Sequence, residues 1–219
     1  MSTEHLDKTT LWLARALLDV GGIQFGNFTM GRTAVNSPVY INPRLLISEP
    51  ATLRQVAKVL ERELLAGQTR RRPRVSPFGL IAGVPFGGLH LATAFMLTTD
   101  TPMIYVRPAS EPGKETPIEG RFVPGQTVLL MDDLVTGGGS LLETADRLES
   151  AGLVVRDAVV LVDREEGATE RLHQRGLNLI TILRLRTMLN YFVSEGLIER
   201  QWYERSIAYL DRSDGQPTS

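Results

Sequence analysis

Apolar residues recur along the chain with two different periods, and the alternation between those periods predicts its elements. Over residues 7–20, Leu11, Leu13, Ala14, Leu17 and Leu18 recur at helical spacing until Gly21-Gly22 ends the pattern. Residues 23–30 have strand character, and Ser37-Pro38-Val39-Tyr40-Ile41-Asn42 reads as a second strand with a turn on either side. A helix is predicted over 50–66, with Leu53, Val56, Ala57, Leu60 and Leu64 on one face. Beyond it the pattern becomes regular: a strand at 80–84, a helix from Pro85-Phe86-Gly87-Gly88 through 97, and a strand at 103–106. A strand at 128–131, a helix at 140–151, strands at 154–162 and 177–183 and a closing helix at 197–210 follow. Between them, 107–121 is a polar loop broken by proline and glycine, and 213–219 reads as a loose tail. Strands apolar on both faces that alternate with helices predict an α/β fold with a mainly parallel, doubly covered sheet.

Composition narrows the function classes. The 219 residues fit a single domain or one domain with a small subdomain. Twenty-four basic residues face 25 acidic ones, so no bulk field draws the chain onto nucleic acid. The run Arg70-Arg71-Arg72-Pro73-Arg74 reads as a solvated loop, with a nucleic-acid patch as its alternative. Cysteine is absent, which excludes disulfides, thiolate metal sites and cysteine nucleophiles. The N-terminal residues lack a basic head and apolar run, and no stretch reaches 18 apolar residues. A cytoplasmic protein with no membrane segment is expected. His5, His90 and His173 lie far apart without metal spacing, and no Gly-x-Ser-x-Gly elbow occurs. The chain has three lysines, Lys8, Lys58 and Lys114, so chemistry that needs an ammonium has few candidates.

The most informative stretch is Val128-Leu129-Leu130-Met131-Asp132-Asp133-Leu134-Val135-Thr136-Gly137-Gly138-Gly139-Ser140. An apolar strand runs into two carboxylates, then a hydroxyl, three glycines and a second hydroxyl lead into a helix. Ligands of open α/β sheets sit at the carboxyl ends of strands. Glycines there let backbone N–H groups close around a phosphate, and the helix N-terminus adds a favourable dipole. Two adjacent acids repel a phosphate, so they suit sugar hydroxyls or a magnesium ion bound through water. A phosphorylated ribose satisfies all of these features. The Walker loop and the dinucleotide fingerprint do not fit, for want of the lysine and of Gly-x-Gly-x-x-Gly respectively.

This stretch resembles the phosphoribosyl-pyrophosphate signature of the type I phosphoribosyltransferases. Over roughly residues 6–211 the chain is similar to the orotate phosphoribosyltransferases in particular. The matching pieces are Ser37-Pro38-Val39-Tyr40-Ile41-Asn42, Ile81-Ala82-Gly83-Val84-Pro85-Phe86-Gly87-Gly88 with Ala92-Thr93-Ala94, Glu119-Gly120 and Asp163-Arg164-Glu165-Glu166-Gly167. The resemblance implies a single domain over 1–212 with a small hood from about 1–45 and the C-terminal segment. It implies transfer of a ribosyl phosphate from phosphoribosyl pyrophosphate (PRPP) to orotate in pyrimidine biosynthesis, with magnesium carried by PRPP and water, in a homodimer. Asp132 and Asp133 would hold the ribose hydroxyls, Thr136, Gly137, Gly138, Gly139 and Ser140 would grip the 5′-phosphate, and Leu134 and Val135 would count with them as PRPP-binding. Phe86 and Gly87 would pass beside the pyrophosphate. Tyr40, Ile41, Thr136 and Arg164 would line the orotate pocket, the arginine facing the orotate carboxylate. Alternatives stay open: Arg164 as a surface ion-pair partner of Glu165 or Glu166, Tyr40 as an ordinary strand aromatic, Phe86 as structural.

The chain departs from the family in its mobile loop, which there reads Arg-Lys-Glu-x-Lys-x-His-Gly and brings positive charge to the departing pyrophosphate. Arg107 matches, but Pro108 and Glu111 stand where the lysines would be, and Gly113 where the histidine would be. Residues 28–32 also lack an expected lysine, with Arg32 nearby. Lys114 is therefore the candidate replacement for the catalytic lysine, acting with Arg107; its alternative is a solvated lysine beside Glu115. Two other functions remain open: transfer to a different base, and a non-catalytic PRPP-binding regulator.

Overall fold

The computed structural model describes residues 4–30, 34–108 and 118–213. Lys114, Arg32 and the tail beyond 213 lie outside them.

Six strands form the main sheet: β3 (Leu80–Gly83), β4 (Met103–Val106), β5 (Ile118–Glu119), β6 (Thr127–Val135), β7 (Val154–Asp163) and β8 (Asn178–Arg184). Their order is β5-β4-β3-β6-β7-β8, parallel throughout except for β5, which pairs antiparallel with β4. The strict alternation of strand side chains divides the interior into two cores. Ile81, Leu129, Met131, Val159 and Leu161 face one core. There they meet α1 (Glu4–Asp19), α2 (Pro50–Gln68), α3 (Gly87–Thr99), α6 (Leu185–Ser194) and α7 (Arg200–Ser213). Leu80, Ala82, Val128, Leu130, Ala158 and Val160 face the other, against α4 (Gly139–Ser150) and α5 (Ala168–Gln174). Two covered faces explain why the strands read as continuous apolar runs.

A separate antiparallel hairpin, β1 (Ile23–Met30) and β2 (Ala34–Ile41), follows α1. Gly21, at φ 74°, turns the chain out of α1, its N–H bonding Leu18 and that of Gly22 bonding Leu17. The C-terminal helix packs on the hairpin: Trp202 meets Phe25 with ring centroids 6.2 Å apart, and the Arg205 guanidinium lies 4.7 Å over the Trp202 ring.

Several elements differ from their sequence-based expectation. The segment 107–121 is not all loop, because 118–119 adds strand β5 to the sheet edge. Strand β6 continues through both carboxylates to Val135 instead of stopping at 131, since β7 pairs with it along that length. The closing helix begins at Arg200, after a break at Gly196 (φ 65°). Helices α5 and α6 and a 3-10 turn at Pro43–Ser48 have no counterpart in the periodic reading. No helix among the described residues is long and apolar enough to cross a membrane.

Candidate functional site

The carboxyl ends of β3, β4, β6 and β7 lie along one edge of the parallel sheet, and most of the residues singled out in the sequence follow them directly. Strand β6 carries Asp132 and Asp133 to this edge and ends at Val135. Residues 136–138 then turn the chain, and α4 starts at Gly139, so Gly139 and Ser140 form its exposed first turn. Gly138 has φ 78°, and a Cβ there would lie 3.2 Å from Leu172 of α5. The turn therefore favours glycine for its backbone, and a side chain there would also press on Leu172. Arg171 of α5 steadies the loop by donating to the Gly137 carbonyl at 3.3 Å. What remains is a short loop at a helix N-terminus with free backbone donors, an arrangement that holds a phosphate.

The end of β3 approaches the acid pair closely. The Val84 N–H bonds the Met131 carbonyl at 2.9 Å, and the Pro85–Phe86 peptide bond is cis. Helix α3 begins with Gly87 and Gly88 against the carboxylates. A Cβ on Gly87 would fall 2.2 Å from the Asp133 carboxylate, and one on Gly88 would fall 2.3 Å from the Met131 carbonyl oxygen. Phe86 is 67% exposed, so it contributes no core packing. Asp132 is buried, and its Oδ1 accepts the Asp133 N–H at 2.9 Å. Burial first, and the neighbouring Asp133 charge second, hold its carboxyl well above the usual carboxylate range, against the pull of backbone donors from Asp133 and Gly88. A ligand that brings hydroxyl donors or a hydrated cation to this pair relieves that cost.

Arg164, just past the end of β7, is fully buried rather than at the surface. Its Nε donates to Glu166 at 2.8 Å, its Nη2 donates to the Ser37 hydroxyl at 3.1 Å, and its backbone N–H bonds the Val135 carbonyl at 3.1 Å. The ion-pair alternative is thus correct in partner but not in place, because both side chains of the pair are interior. Two non-glycine residues with left-handed backbone flank this contact, Asn36 at φ 55° and Glu165 at φ 58°. Such geometry persists where surrounding structure enforces it, as at ligand sites. Glu165 is itself anchored, its carboxylate accepting the Arg186 N–H at 2.7 Å. Burial raises the Glu165 carboxyl, with the Arg186 backbone donor opposing, and it raises that of Asp163, opposed by the Glu165 N–H.

The Ser37–Arg164 bond ties the hairpin to the sheet edge. Tyr40, part-exposed, leans on Phe28 with centroids 5.5 Å apart. Ile41 is 3% exposed and belongs to the large core, so any part it takes in a pocket comes from its backbone. Arg107, at the end of β4, pairs with Glu119 of β5 at 3.1 Å, and its carbonyl accepts Arg147 of α4 at 3.2 Å. Sequence reasoning assigned no role to Ser37, Gly88, Glu119 or Arg171, and gave Glu166 only as an alternative partner of Arg164. All but Arg171 lie inside quoted motifs, but only the fold shows that Ser37 and Glu166 hold Arg164, that Gly88 abuts the acid pair and that Glu119 holds Arg107. Among the described residues no group of three or more Asp, Glu or His could hold a metal directly.

No protein-family model matches the chain. It is 39% identical over 202 residues to the uridine 5′-monophosphate synthase of Bos taurus, which covers 92% of this chain and 40% of the bovine protein. It is 34% identical over 183 residues to the orotate phosphoribosyltransferase of Chlamydia pneumoniae, covering 82% of each. Among solved structures, UMP synthase of Leishmania donovani superposes with a TM-score of 0.83 at 33% identity, over 94% of this chain and 43% of that one. Orotate phosphoribosyltransferase of Aeropyrum pernix superposes with a TM-score of 0.67 at 31% identity, over 82% of this chain and 98% of that one. The chain therefore spans about two-fifths of the synthases and most of the length of the single-function transferases.

Proposed function

The chain belongs to the orotate phosphoribosyltransferase family, and from that premise we propose that it transfers the ribosyl phosphate of PRPP to orotate in pyrimidine biosynthesis. The C1–oxygen bond to pyrophosphate breaks, and the oxygen keeps the electron pair. A bond forms from C1 to a ring nitrogen of orotate, whose proton is released, and orotidine 5′-phosphate and pyrophosphate leave. The observation that carries this reading is the acid pair Asp132-Asp133 leading through 136–138 into the N-terminus of α4, with Gly87 and Gly88 against it.

The backbone of 136–140 holds the 5′-phosphate, and Asp132 and Asp133 orient the ribose hydroxyls so that C1 faces the base. The transition state is oxocarbenium-like, so the protein contributes position and charge more than covalent chemistry. Thr136, Tyr40 and the Arg164–Ser37 contact frame the orotate. Magnesium fits this donor set as a hydrated ion: the pair offers two adjacent carboxylates, and no third acid or histidine among the described residues completes a direct site. When bound with PRPP it supplies charge neutralisation on the pyrophosphate oxygens. Arg107 adds positive charge from the end of β4, and Lys114 replaces the family's loop lysine. A cytoplasmic homodimer belongs to the same reading.

The test follows orotate absorbance with purified chain, magnesium and PRPP. Loss of the orotate signal that requires all three establishes the reaction and its metal. PRPP binding without turnover identifies the non-catalytic regulator instead, and turnover with another base identifies a different transferase.

A further inference from the structure

A cavity of about 990 Å³ lies away from the 136–140 loop, where the 5′-phosphate of PRPP is proposed to sit. It runs along β8, the last strand in the sheet order, whose outer edge has no neighbouring strand among the described residues. None of the residues 136–140 lines it. Its walls carry five arginines, Arg70, Arg74, Arg156, Arg184 and Arg186, against three carboxylates, Glu63, Asp157 and Glu165.

The two signs differ in their engagement. Each carboxylate already has a partner within the chain. Asp157 accepts the Ser76 N–H at 2.9 Å and the Asn178 amide at 2.7 Å, Glu165 accepts the Arg186 N–H, and Glu63 pairs with Arg62 at 3.4 Å. Arg186 is likewise held, by Asp211 at 2.8 Å. The guanidinium groups of Arg70, Arg74 and Arg156 make no hydrogen bond or ion pair with any described residue. They come from separate places, two from the loop after α2 and one from the start of β7, and they face the same cavity. In a chain of formal net charge −1 this gathering is local, not a consequence of a basic surface.

We propose that this cleft is a second anion site and that it takes a polyphosphate of nucleotide size. Unengaged guanidinium forks match phosphate oxygens bidentately. The volume exceeds that of a single phosphate and falls in the range of small-molecule pockets. Three separated guanidinium groups fit a chain of phosphates better than one compact anion. The unpaired edge of β8, with Asn178 and Asn190 beside it, offers donors and acceptors to a planar group attached to the phosphates. The arginine run that the sequence left as a solvated loop thereby acquires a ligand.

The test is calorimetric titration of the purified full chain with adenosine 5′-triphosphate, uridine 5′-triphosphate and inorganic triphosphate. It is repeated in an Arg74→Ala/Arg156→Ala variant, a charge-conserving Arg156→Lys variant and a Thr136→Val variant, with circular dichroism to verify folding. The expected result is one site per chain whose affinity falls at least tenfold in the double alanine variant. Affinity falls only partly in Arg156→Lys, which keeps the charge but loses the fork, and is kept in Thr136→Val, while turnover with orotate is unchanged by the double alanine variant. A preference for a nucleoside triphosphate over inorganic triphosphate assigns a nucleotide; equal binding of both assigns a polyphosphate alone. Binding that Thr136→Val abolishes and the arginine variant leaves intact belongs to the candidate catalytic loop and overturns the proposal. So does no binding of any of the three probes, or a change of mass in sedimentation that depends on the arginines without anion binding, which assigns the cleft to a second copy of the chain. The binding outcomes are independent of whether the chain turns over orotate.

Discussion

The carboxyl ends of β6 and β7 are neighbours built to one plan and used in opposite ways. Each strand carries acid at or near its end, Asp132-Asp133 in β6 and Asp163 in β7, and leads through a left-handed glycine, Gly138 at φ 78° and Gly167 at φ 90°, into a helix. After β6 the backbone is what the site exposes: a loop opens onto solvent, and one carboxylate is kept buried beside another. After β7 it is side chains that are fixed: Arg164 is buried and divided between Glu166 two residues on and Ser37 in the hairpin. A binding loop made of backbone needs glycines and nothing distant, whereas a binding arginine in the interior needs partners that hold its charge. The first stores its cost in an unrelieved acid pair and the second satisfies its charges within the fold.

The largest effect should come from breaking the β7 network. Arg164→Ala leaves Glu166 as an uncompensated buried charge, which costs about 3–5 kcal/mol. Chemical denaturation should show that loss, and Arg164→Met with Glu166→Leu should recover much of it without recovering orotate turnover. Destabilisation below about 1 kcal/mol would mean the pair is wet and the contrast between the two strand ends is false.

The β6 end should respond in activity rather than in stability. Gly87→Ala places a methyl group at the Asp133 carboxylate, a side-chain end that can swing away. The fold should survive, while displacement of Asp133 by about 1 Å should lower kcat/KM for PRPP on the order of 10²-fold. Gly88→Ala strikes the Met131 carbonyl, which is backbone and cannot swing. It should cost about 1–3 kcal/mol of stability as well. Equal thermal stability of the two variants would remove this distinction.

The same contrast explains what could be read from the chain beforehand. The β6 loop lies within one contiguous stretch, so its acids, glycines and hydroxyls can be read in order as a candidate phosphate site. The Ser37–Arg164 bond spans 127 residues, and no local pattern reports it. Helix α6 did carry a signal, since Leu185, Met188, Leu189 and Phe192 follow helical spacing. It follows β8 without a break, with extended Arg184 as its N-cap, so strand and helix merge in the sequence. Helix α5 has seven residues and two buried positions, Ala168 and Leu172, too few to set a period. The free arginines of the cleft look like any solvated run until β7 and β8 bring Arg156 and Arg184 beside them.

Lys114 tests whether charge at the departing pyrophosphate comes from the atypical loop. Arg107 is partly neutralised by Glu119, so the proposed reaction calls for a second cation there. Lys114→Ala should depress kcat at least about tenfold, equivalent to about 1.4 kcal/mol, with PRPP binding less affected. Unchanged turnover would sink this replacement and leave Arg107 as the candidate cation.

The smallest effect is a pH dependence at Asp132. Its carboxyl is raised in the folded state by burial, then by the Asp133 charge, so between its unfolded and folded values the folded chain holds a proton the unfolded chain has released. Its favourable contribution is complete below the ordinary carboxylate value and is lost as pH rises through the raised value. Asp132→Asn removes that loss. Its Tm relative to the parent should be nearly level at acidic pH and climb toward neutrality, by roughly 2–4 °C for each kcal/mol of relieved charge cost. The same substitution should weaken PRPP binding, since a neutral amide holds ribose hydroxyls less strongly than a carboxylate does. A variant whose Tm difference is flat with pH would show that Asp132 is ionised at no cost. The stored tension that sets the β6 end apart from the β7 end would then be absent.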